Sequence, residues 1–290
     1  MKTELTAIIP TYNNVNGLKY LLSYFKDKDC QIIVVDNKTS KEKNNFIASL
    51  FHCYKDRLIY LPQEKNLGFA RAVNLGARYA TGDWLLILND DIEFESQKSK
   101  VKSQKYNSKV KSYQSNIIEE LIKEAERKKL DAVSPVLRNP DGGVENYGYK
   151  VLPYGKVELV KSVKSVKSVY LDGLTAACLL IKTSVFKKLG GFDESFFAYL
   201  EDVDFFLRLA EFTPIKSGLA QDKSFGIAYD IEVLHNHMTT TKTMGNFKAR
   251  QDIINWWRLF FKHPDKFKFD WQFVIERLRN VLGFIKASLK

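Results

Sequence analysis

Residues 81–94, TGDWLLILNDDIEF, constrain this chain more than any other stretch. The run 84–88 is apolar throughout and of strand length. A Gly-Asp turn precedes it and two adjacent carboxylates follow, the pattern of a buried strand in a parallel α/β sheet. In open α/β sheets the ligand crevice lies beyond the carboxyl ends of the strands, so Asn89, Asp90 and Asp91 are expected in a crevice rather than in the core. Neighbouring hard oxygen donors suit a magnesium or manganese ion, and an ion held by one or two carboxylates fills its other positions with water and substrate phosphates. A diphosphate-bearing substrate is the expectation. For the stretch taken alone, the plainer alternative is a solvated acidic turn that caps a strand.

A chain of 290 residues, 45% of them hydrophobic, can bury a full core as one large α/β domain or as one domain with appendages. Its three cysteines, Cys30, Cys53 and Cys178, sit at unrelated spacings, which points to a reduced interior and the cytosol rather than to a disulfide framework or a zinc site. The N-terminal residues enter a short apolar strand without the apolar core of a signal peptide, and no apolar run approaches the roughly 20 residues of a membrane span. Charge is unevenly placed. Of the formal +11, segment 96–115 contributes six lysines and no acid, and 241–290 holds eleven Lys or Arg against four Asp or Glu. The remainder is slightly acidic, so a basic belt surrounds a near-neutral body, as suits an anionic surface.

In chain order, residues 5–9 read as a strand closed by Pro10, whose missing N–H ends pairing. Thr11, Tyr12, Asn13 and Asn14 follow, then a helix with Leu18, Leu21, Leu22 and Phe25 at helical spacing. Residues 31–35 form a second strand ending at Asp36. That carboxylate is placed either to accept hydrogen bonds from a ribose or a base imide, or to cap the helix that starts near residue 42. A short third strand covers 58–61. In NLGFARAVNLGARY, residues 66–79, Gly68 and Gly76 among small residues allow close approach of backbone to ligand, and the helix N-terminus with Arg71 can receive a phosphate. No GxGxxG fingerprint and no Walker A sequence occurs. Further on, 172–181 is a small-residue turn entering a buried strand, where Gly173 and Ala176 leave room for a sugar ring or for tight packing. In GGFDESFFAYLEDVDFFLRL, the apolar Phe205, Phe206, Leu207 and Leu209 start a helix near Glu201. Glu201, Asp202 and Asp204 then occupy its first turn, where the helix dipole favours carboxylates. The aromatic run Phe196, Phe197 and Tyr199 beside them could form an acceptor platform.

The succession IIPTYNN, VVDN, NLGFARAVNLG, GDWLLILNDDI and GLTAACLLIKTSVFKKLGGFDESFFAYLEDVDFFLR, followed by a late histidine, resembles family 2 inverting glycosyltransferases of the GT-A fold. Within them it is most similar to rhamnosyltransferase-like enzymes of surface polysaccharide synthesis, over roughly residues 5–241. The resemblance implies a mixed, mostly parallel sheet flanked by helices, with a catalytic domain over 1–240 made of a nucleotide-sugar half (1–95) and an acceptor half (116–240). It implies a UDP- or dTDP-linked sugar donor. Pro10, Thr11, Tyr12, Asn13 and Asp36 would hold the nucleoside, and Asn66, Gly68, Arg71 and Asn74 would line the nucleotide-sugar pocket. Asn89, Asp90 and Asp91 would form the DxD-type element for a Mg2+ or Mn2+ ion, with Asp91 the direct ligand and Asn89 standing where many relatives have Asp. Asp172, Gly173 and Tyr199 fall on the acceptor and sugar side. His235, or else His237 in the same VLHNHMTTTK stretch, would complete the metal's coordination. An inverting transfer needs one carboxylate to take the acceptor proton while a cation neutralises the departing diphosphate. The resemblance places that base in the EDVD element, at Asp202 in preference to Glu201, and no covalent glycosyl-enzyme is expected.

Two segments depart from the family pattern. Residues 96–115, rich in Lys and Ser, read as a loop inserted after the metal element, either a lid or a solvated insertion. An amphipathic helix over 117–129 and a strand over 132–137 resume the fold, and the KSV triplet of 161–169 alternates as a strand or hairpin does. The tail, 241–290, carries Ile253, Ile254, Trp257, Phe260 and Phe261 on one helical face beside Arg250, Arg258 and Lys262, with a second such helix over 273–285. These helices either pack on the body or lie on an anionic membrane. The expected function is therefore metal-dependent sugar transfer to a glycan or lipid-linked acceptor, in the cytoplasm at the inner membrane face, with no nucleic acid partner. Two other classes compete. A sugar-nucleotide nucleotidyltransferase would want a basic Gly-rich loop after the first strand, and PTYNNVNG has no basic residue. A nucleic-acid-binding protein would explain the lysines but leave the carboxylates idle.

Overall fold

The structure, a computed structural model, describes residues 4–38, 40–94, 117–162, 170–212, 224–236 and 246–288. The Lys/Ser-rich segment 96–115, most of the KSV triplet and His237 lie outside these residues.

Strand and helix alternate from the start: β1 (Leu5–Thr11), α1 (Val15–Phe25), β2 (Gln31–Asp36), α2 (Lys41–Tyr54), β3 (Leu58–Pro62), α3 (Phe69–Tyr79) and β4 (Trp84–Leu88). Asn14 starts α1 by accepting the Gly17 N–H on its side-chain oxygen, a capping interaction of the usual kind. The four strands pair in parallel in the order β3-β2-β1-β4. Period-two alternation sorts their side chains. Ala7, Ile9, Ile32, Val34, Leu86 and Leu88 pack on one face with Leu18, Leu22 and Phe25 of α1. Ile8, Ile33, Val35, Leu85 and Ile87 pack on the other with Ala70, Ala72, Val73 and Ala77 of α3. Both faces are covered, which is why these strands read as unbroken apolar runs.

The second half adds β5 (Ile92–Glu93), α4 (Ile117–Arg127), β6 (Ala132–Arg138), β7 (Val144–Asn146), the hairpin of β8 (Tyr149–Leu152) and β9 (Lys156–Leu159), β10 (Cys178–Lys182), α5 (Thr183–Lys188), α6 (Glu201–Phe212) and β11 (Phe225–His235). The sheet continues β4-β10-β6-β11-β5, with β10 antiparallel to both neighbours and β6 parallel to β11. The mixed, mostly parallel sheet expected from the sequence is thus present. Short β5 decides the site's position: it leaves the end of β4 and pairs with β11, Ile92 opposite His235. The last residue of β11 thereby comes back to the acidic end of β4.

The tail forms α7 (Phe247–Lys262) and α8 (Trp271–Ser288). Trp256 and Leu259 of α7 share a buried cluster with Tyr149, Phe196, Val203 and Leu207, so this helix belongs to the core around the start of α6. In α8 Phe273 and Arg277 are buried, whereas Trp271, Leu278 and Leu282 are each more than half exposed. Helix α7 thus packs on the body, and α8 packs through one face and leaves the other exposed. No helix among the described residues is long and apolar enough to cross a membrane.

Candidate active site

A cavity of about 860 Å³ opens beyond the carboxyl ends of β1, β2, β4 and β11 and runs toward α6, α7 and α8. At its first end Pro10, Thr11, Tyr12, Asn37, Asn66 and Gly68 form the wall. Asn37 organises this loop: its Nδ2 donates to the Gly68 carbonyl (3.2 Å) and its Oδ1 accepts the Leu67 N–H (3.2 Å). Gly68 has φ +84°, and a Cβ there would stand 2.2 Å from the Phe197 carbonyl oxygen. Only glycine lets this loop close on residue 197, whose carbonyl also accepts the Phe69 N–H at 2.8 Å.

The two acids after β4 are used differently. Asp90 is turned inward, accepting the Thr11 hydroxyl (2.7 Å), the Tyr12 N–H (3.3 Å) and the Asn14 amide (3.1 Å), so it ties the end of β4 to the end of β1. Burial pushes its carboxyl up to about 6 against the pull of those donors. Asp91 faces His235, with Oδ1 3.2 Å from Nε2, and the other imidazole nitrogen, Nδ1, lies 2.9 Å from Glu145 Oε2. Burial by itself would lower the imidazole. The hydrogen bonds and charges of Asp91 and Glu145 outweigh it and raise His235 to about 9. Glu145 also orients the ring, so that Nε2 is the nitrogen presented to Asp91.

At the other end, Tyr199 and Leu200 both adopt φ +67°, a left-handed conformation that costs a non-glycine residue about 1–2 kcal/mol. Fully buried Asn255 of α7 holds them there, its Nδ2 donating to the carbonyls of Ala198 (2.8 Å) and Tyr199 (2.7 Å). The turn delivers Glu201 and Asp202 to the cavity wall. Asp202 accepts the Val203 N–H (2.8 Å) and the Ala176 N–H (3.3 Å), while Glu201 Oε2 is buried with no hydrogen-bond partner. Burial raises both carboxyls above their ordinary range, and Asp202 beside it raises Glu201 further. Asp204 has a separate task. It points away into a network with Arg208 (2.8 Å), Lys262 (2.8 Å) and His263 (2.9 Å), which locks α6 to the end of α7.

Residues 6–101 match the family described as Glycosyl transferase family 2. The chain is 24% identical over 268 residues to the low-salt glycan biosynthesis hexosyltransferase Agl10 of Haloferax volcanii, covering 88% of this chain and 75% of that protein. It is 26% identical over 185 residues to the N-acetylglucosaminyl-diphospho-decaprenol L-rhamnosyltransferase of Mycobacterium tuberculosis, covering 52% of each chain, so it spans about half of that relative. The fold is shared with the mannosyltransferase PcManGT of Pyrobaculum calidifontis, solved with GDP-Man and Mn2+, at a TM-score of 0.58 and 15% identity over all of this chain and 74% of that one. The family 2 match thus spans the first third of the chain, and the relatives named are glycosyltransferases. The sheet of this chain is the GT-A fold.

Against this family 2 framework the expected residues separate. Pro10, Thr11, Tyr12, Asn66, Gly68, Asn89, Asp90, Asp91, Tyr199, Glu201, Asp202 and His235 all line the one cavity. Others lie off its wall. Asp36 is fully buried, its Oδ1 2.5 Å from the Lys43 ammonium and its Oδ2 accepting the Tyr60 hydroxyl, and neighbouring Asn37 takes the wall position instead. Arg71 is half exposed and pairs with Glu194, while Asn74 holds both the N–H and the carbonyl of Phe192, so both serve the loop leading to α6. Asn13 takes a left-handed φ of 59° in the turn after β1. Asp172 accepts the Val151 N–H, and Gly173 packs under the Tyr149 ring. Glu145, Asn37, Asn255 and Arg277 escaped the sequence reading. Asn37 follows Asp36 in the VVDN stretch, Glu145 and Arg277 sit in a short strand and a helix that only the fold brings to the cavity, and Asn255 supports the turn before α6.

Among the described residues no three His, Cys, Asp or Glu side chains converge to hold an ion by themselves. The donors nonetheless fit one that a substrate helps to bind: Asp91 and His235 are adjacent, oriented by Glu145, and open to the cavity, and magnesium or manganese with so few protein ligands takes the rest from phosphate and water.

Proposed function

We propose that this glycosyltransferase moves a sugar from a nucleotide-diphosphate donor, UDP- or dTDP-linked, to a hydroxyl of a glycan or lipid-linked acceptor, with inversion at the anomeric carbon. One observation carries the reading: a single cavity is walled at one end by the nucleotide-side loops with Asp91 and His235, and at the other by the Glu201–Asp202 pair. The N–H of Ala176 binds Asp202, and the carbonyl of the next residue, Ala177, accepts the Asn89 N–H at 2.8 Å, so two consecutive residues separate the two acidic centres.

Thr11, Tyr12, Asn37, Asn66 and Gly68 would receive the nucleoside and fix the donor's direction. Asp91 and His235 would hold a Mg2+ or Mn2+ ion, whose chemistry when bound is to neutralise the departing diphosphate. Asp202 would take the acceptor hydroxyl's proton as that oxygen attacks. The two backbone N–H groups on its carboxylate fix its orientation and favour its charged form, while burial favours the protonated form of Glu201, which in that form can donate a hydrogen bond. The relative that acts on a diphospho-decaprenol supports a lipid-linked acceptor, and the bared apolar face of α8 supports peripheral contact with an anionic membrane. The test is donor turnover: hydrolysis of UDP- and dTDP-sugars measured with manganese, and again with EDTA. Metal-stimulated consumption of one donor is expected, and nucleotide sugars left intact under both conditions would refute the reading.

A further inference from the structure

Helix α8 has two unlike faces. Phe273, Glu276, Arg277 and Asn280 turn toward the body, and Glu276, Arg277 and Asn280 line the cavity. Trp271, Val274, Ile275, Leu278, Val281, Leu282 and Ile285, on the opposite side at helical spacing, are exposed. Arg277 is 8% exposed, with its guanidinium over the rings of Trp256 (4.6 Å) and Phe273 (4.7 Å). Its Nη2 donates to the Gly155 carbonyl in the β8–β9 turn, where φ is +73° and a Cβ would meet Arg277 Nη1 at 2.8 Å. Its Nε and Nη1 are buried with no hydrogen-bond partner, as is Asn280 Oδ1 one turn on. The acids on this wall, Glu276 and Asp252, form their ion pairs with Arg279 and Lys248 and reach Arg277 only through their charge. Burial lowers the guanidinium only to about 10, so it is charged at neutral pH.

A buried guanidinium with two idle donors is costly unless a ligand completes it. Its planar fork matches a phosphate. Its place decides whose phosphate. Trp256, on which it rests, is in the cluster with Val203, next to the proposed base, and Arg277 belongs to the helix whose far side is the bare apolar stripe. We infer that Arg277 anchors the phosphate or diphosphate of a lipid-linked acceptor, whose apolar chain leaves the cavity toward the lipid-facing stripe of α8. The inference rests on the cavity being a glycosyl-transfer site. It assigns Arg277 to the acceptor and not to the donor diphosphate.

The probes are farnesyl diphosphate, farnesol and inorganic pyrophosphate, titrated calorimetrically into the full chain in EDTA, which keeps the metal-dependent donor site out of the reading. Farnesyl diphosphate is expected to bind, with the other two at least about tenfold weaker. Arg277→Gln should lose about ten- to a hundredfold of that affinity, and Arg277→Lys, which keeps the charge but not the fork, should fall between. Asp91→Ala should bind farnesyl diphosphate as the wild type does while failing to bind UDP with manganese, so loss of the donor reading and loss of this one are seen separately. Wild-type affinity in Arg277→Gln, displacement of farnesyl diphosphate by UDP, or equal binding of farnesol or pyrophosphate would each overturn the assignment. Should Arg277→Gln not fold, Arg277→Lys decides, and unchanged affinity there overturns it as well.

Discussion

Asn89 and Asp202, 113 positions apart, are held to consecutive residues: the Asn89 N–H donates to the Ala177 carbonyl at 2.8 Å, and Asp202 Oδ2 accepts the Ala176 N–H at 3.3 Å. Residues 176–177 therefore set the distance between the acids after β4 and the acids that open α6.

If Asp202 is the base, Asp202→Asn should lower turnover by about 10²- to 10⁴-fold with donor affinity unchanged. Glu201→Gln should cost far less activity. It should also raise the melting temperature, and by more as pH rises. The folded state holds the Glu201 proton more tightly than the unfolded chain, so ionisation above the ordinary value of 4.5 works against folding, and the substitution removes that penalty. Steady-state kinetics and thermal melts from pH 5 to 8.5 check both. A wild-type rate in Asp202→Asn would move the base elsewhere.

His235 gives a second pH signature. Its pKa is raised to about 9, so in EDTA its ion pairs with Asp91 and Glu145 contribute fully below its unfolded value near 6.5 and are lost as pH rises through 9. Wild-type melting temperature in EDTA should fall across that window, and the slope should flatten in His235→Gln. Glu145→Gln, which leaves the ring without its orienting carboxylate, should weaken manganese affinity about 10- to 100-fold. Equal slopes, or unchanged manganese binding, would remove the pair from the metal side.

Much of this was legible in the chain, for identifiable reasons. Strands buried on both faces print as uninterrupted apolar runs, so β1, β2 and β4 could be placed within about two residues, and acids directly after such strands land in the crevice by topology alone. What failed to show was anything dependent on pairing between distant segments. Glu145 matters because β7 pairs with β6 and so brings its carboxylate to His235, and Arg277 because α8 folds back over the β8–β9 turn. Asp36 reads equally as a ligand or as a helix cap at a strand end, and its pairing with Lys43 in the first turn of α2 does not show in the sequence. The sequence could not separate Asp90 from Asp91 by burial, since they differ only in which way the turn faces.

Asn255 positions the acidic pair through the Tyr199–Leu200 turn. Asn255→Ala leaves two partly buried carbonyls without their donor, at about 1–3 kcal/mol of stability, and frees the left-handed turn to relax. Turnover should drop by up to about a hundredfold while the donor KM stays near wild type, because the nucleotide-side loops are untouched. Thermal melts and donor-saturation kinetics measure the two effects. A loss of stability with normal turnover in the folded fraction would reduce Asn255 to packing.

The outward stripe of α8 is testable apart from the rest. The double substitution Leu278→Glu and Leu282→Glu alters two side chains that are each 56% exposed, so the fold should hold. Co-sedimentation with vesicles of phosphatidylglycerol and phosphatidylcholine should show wild-type binding that weakens with salt, and loss of binding in the variant. Wild-type protein that stays in the supernatant at low salt would leave the stripe to a different partner.

The central claim, sugar transfer with inversion from a nucleotide diphosphate in the cavity between Asp91 and Asp202, is most directly tested by proton NMR of the sugar released from or transferred out of an α-linked UDP- or dTDP-sugar with manganese present. The account predicts that the first product formed has the β-anomeric configuration, at a rate that collapses in Asp202→Asn. A product that keeps the α configuration, or one formed equally fast by Asp202→Asn, would contradict it.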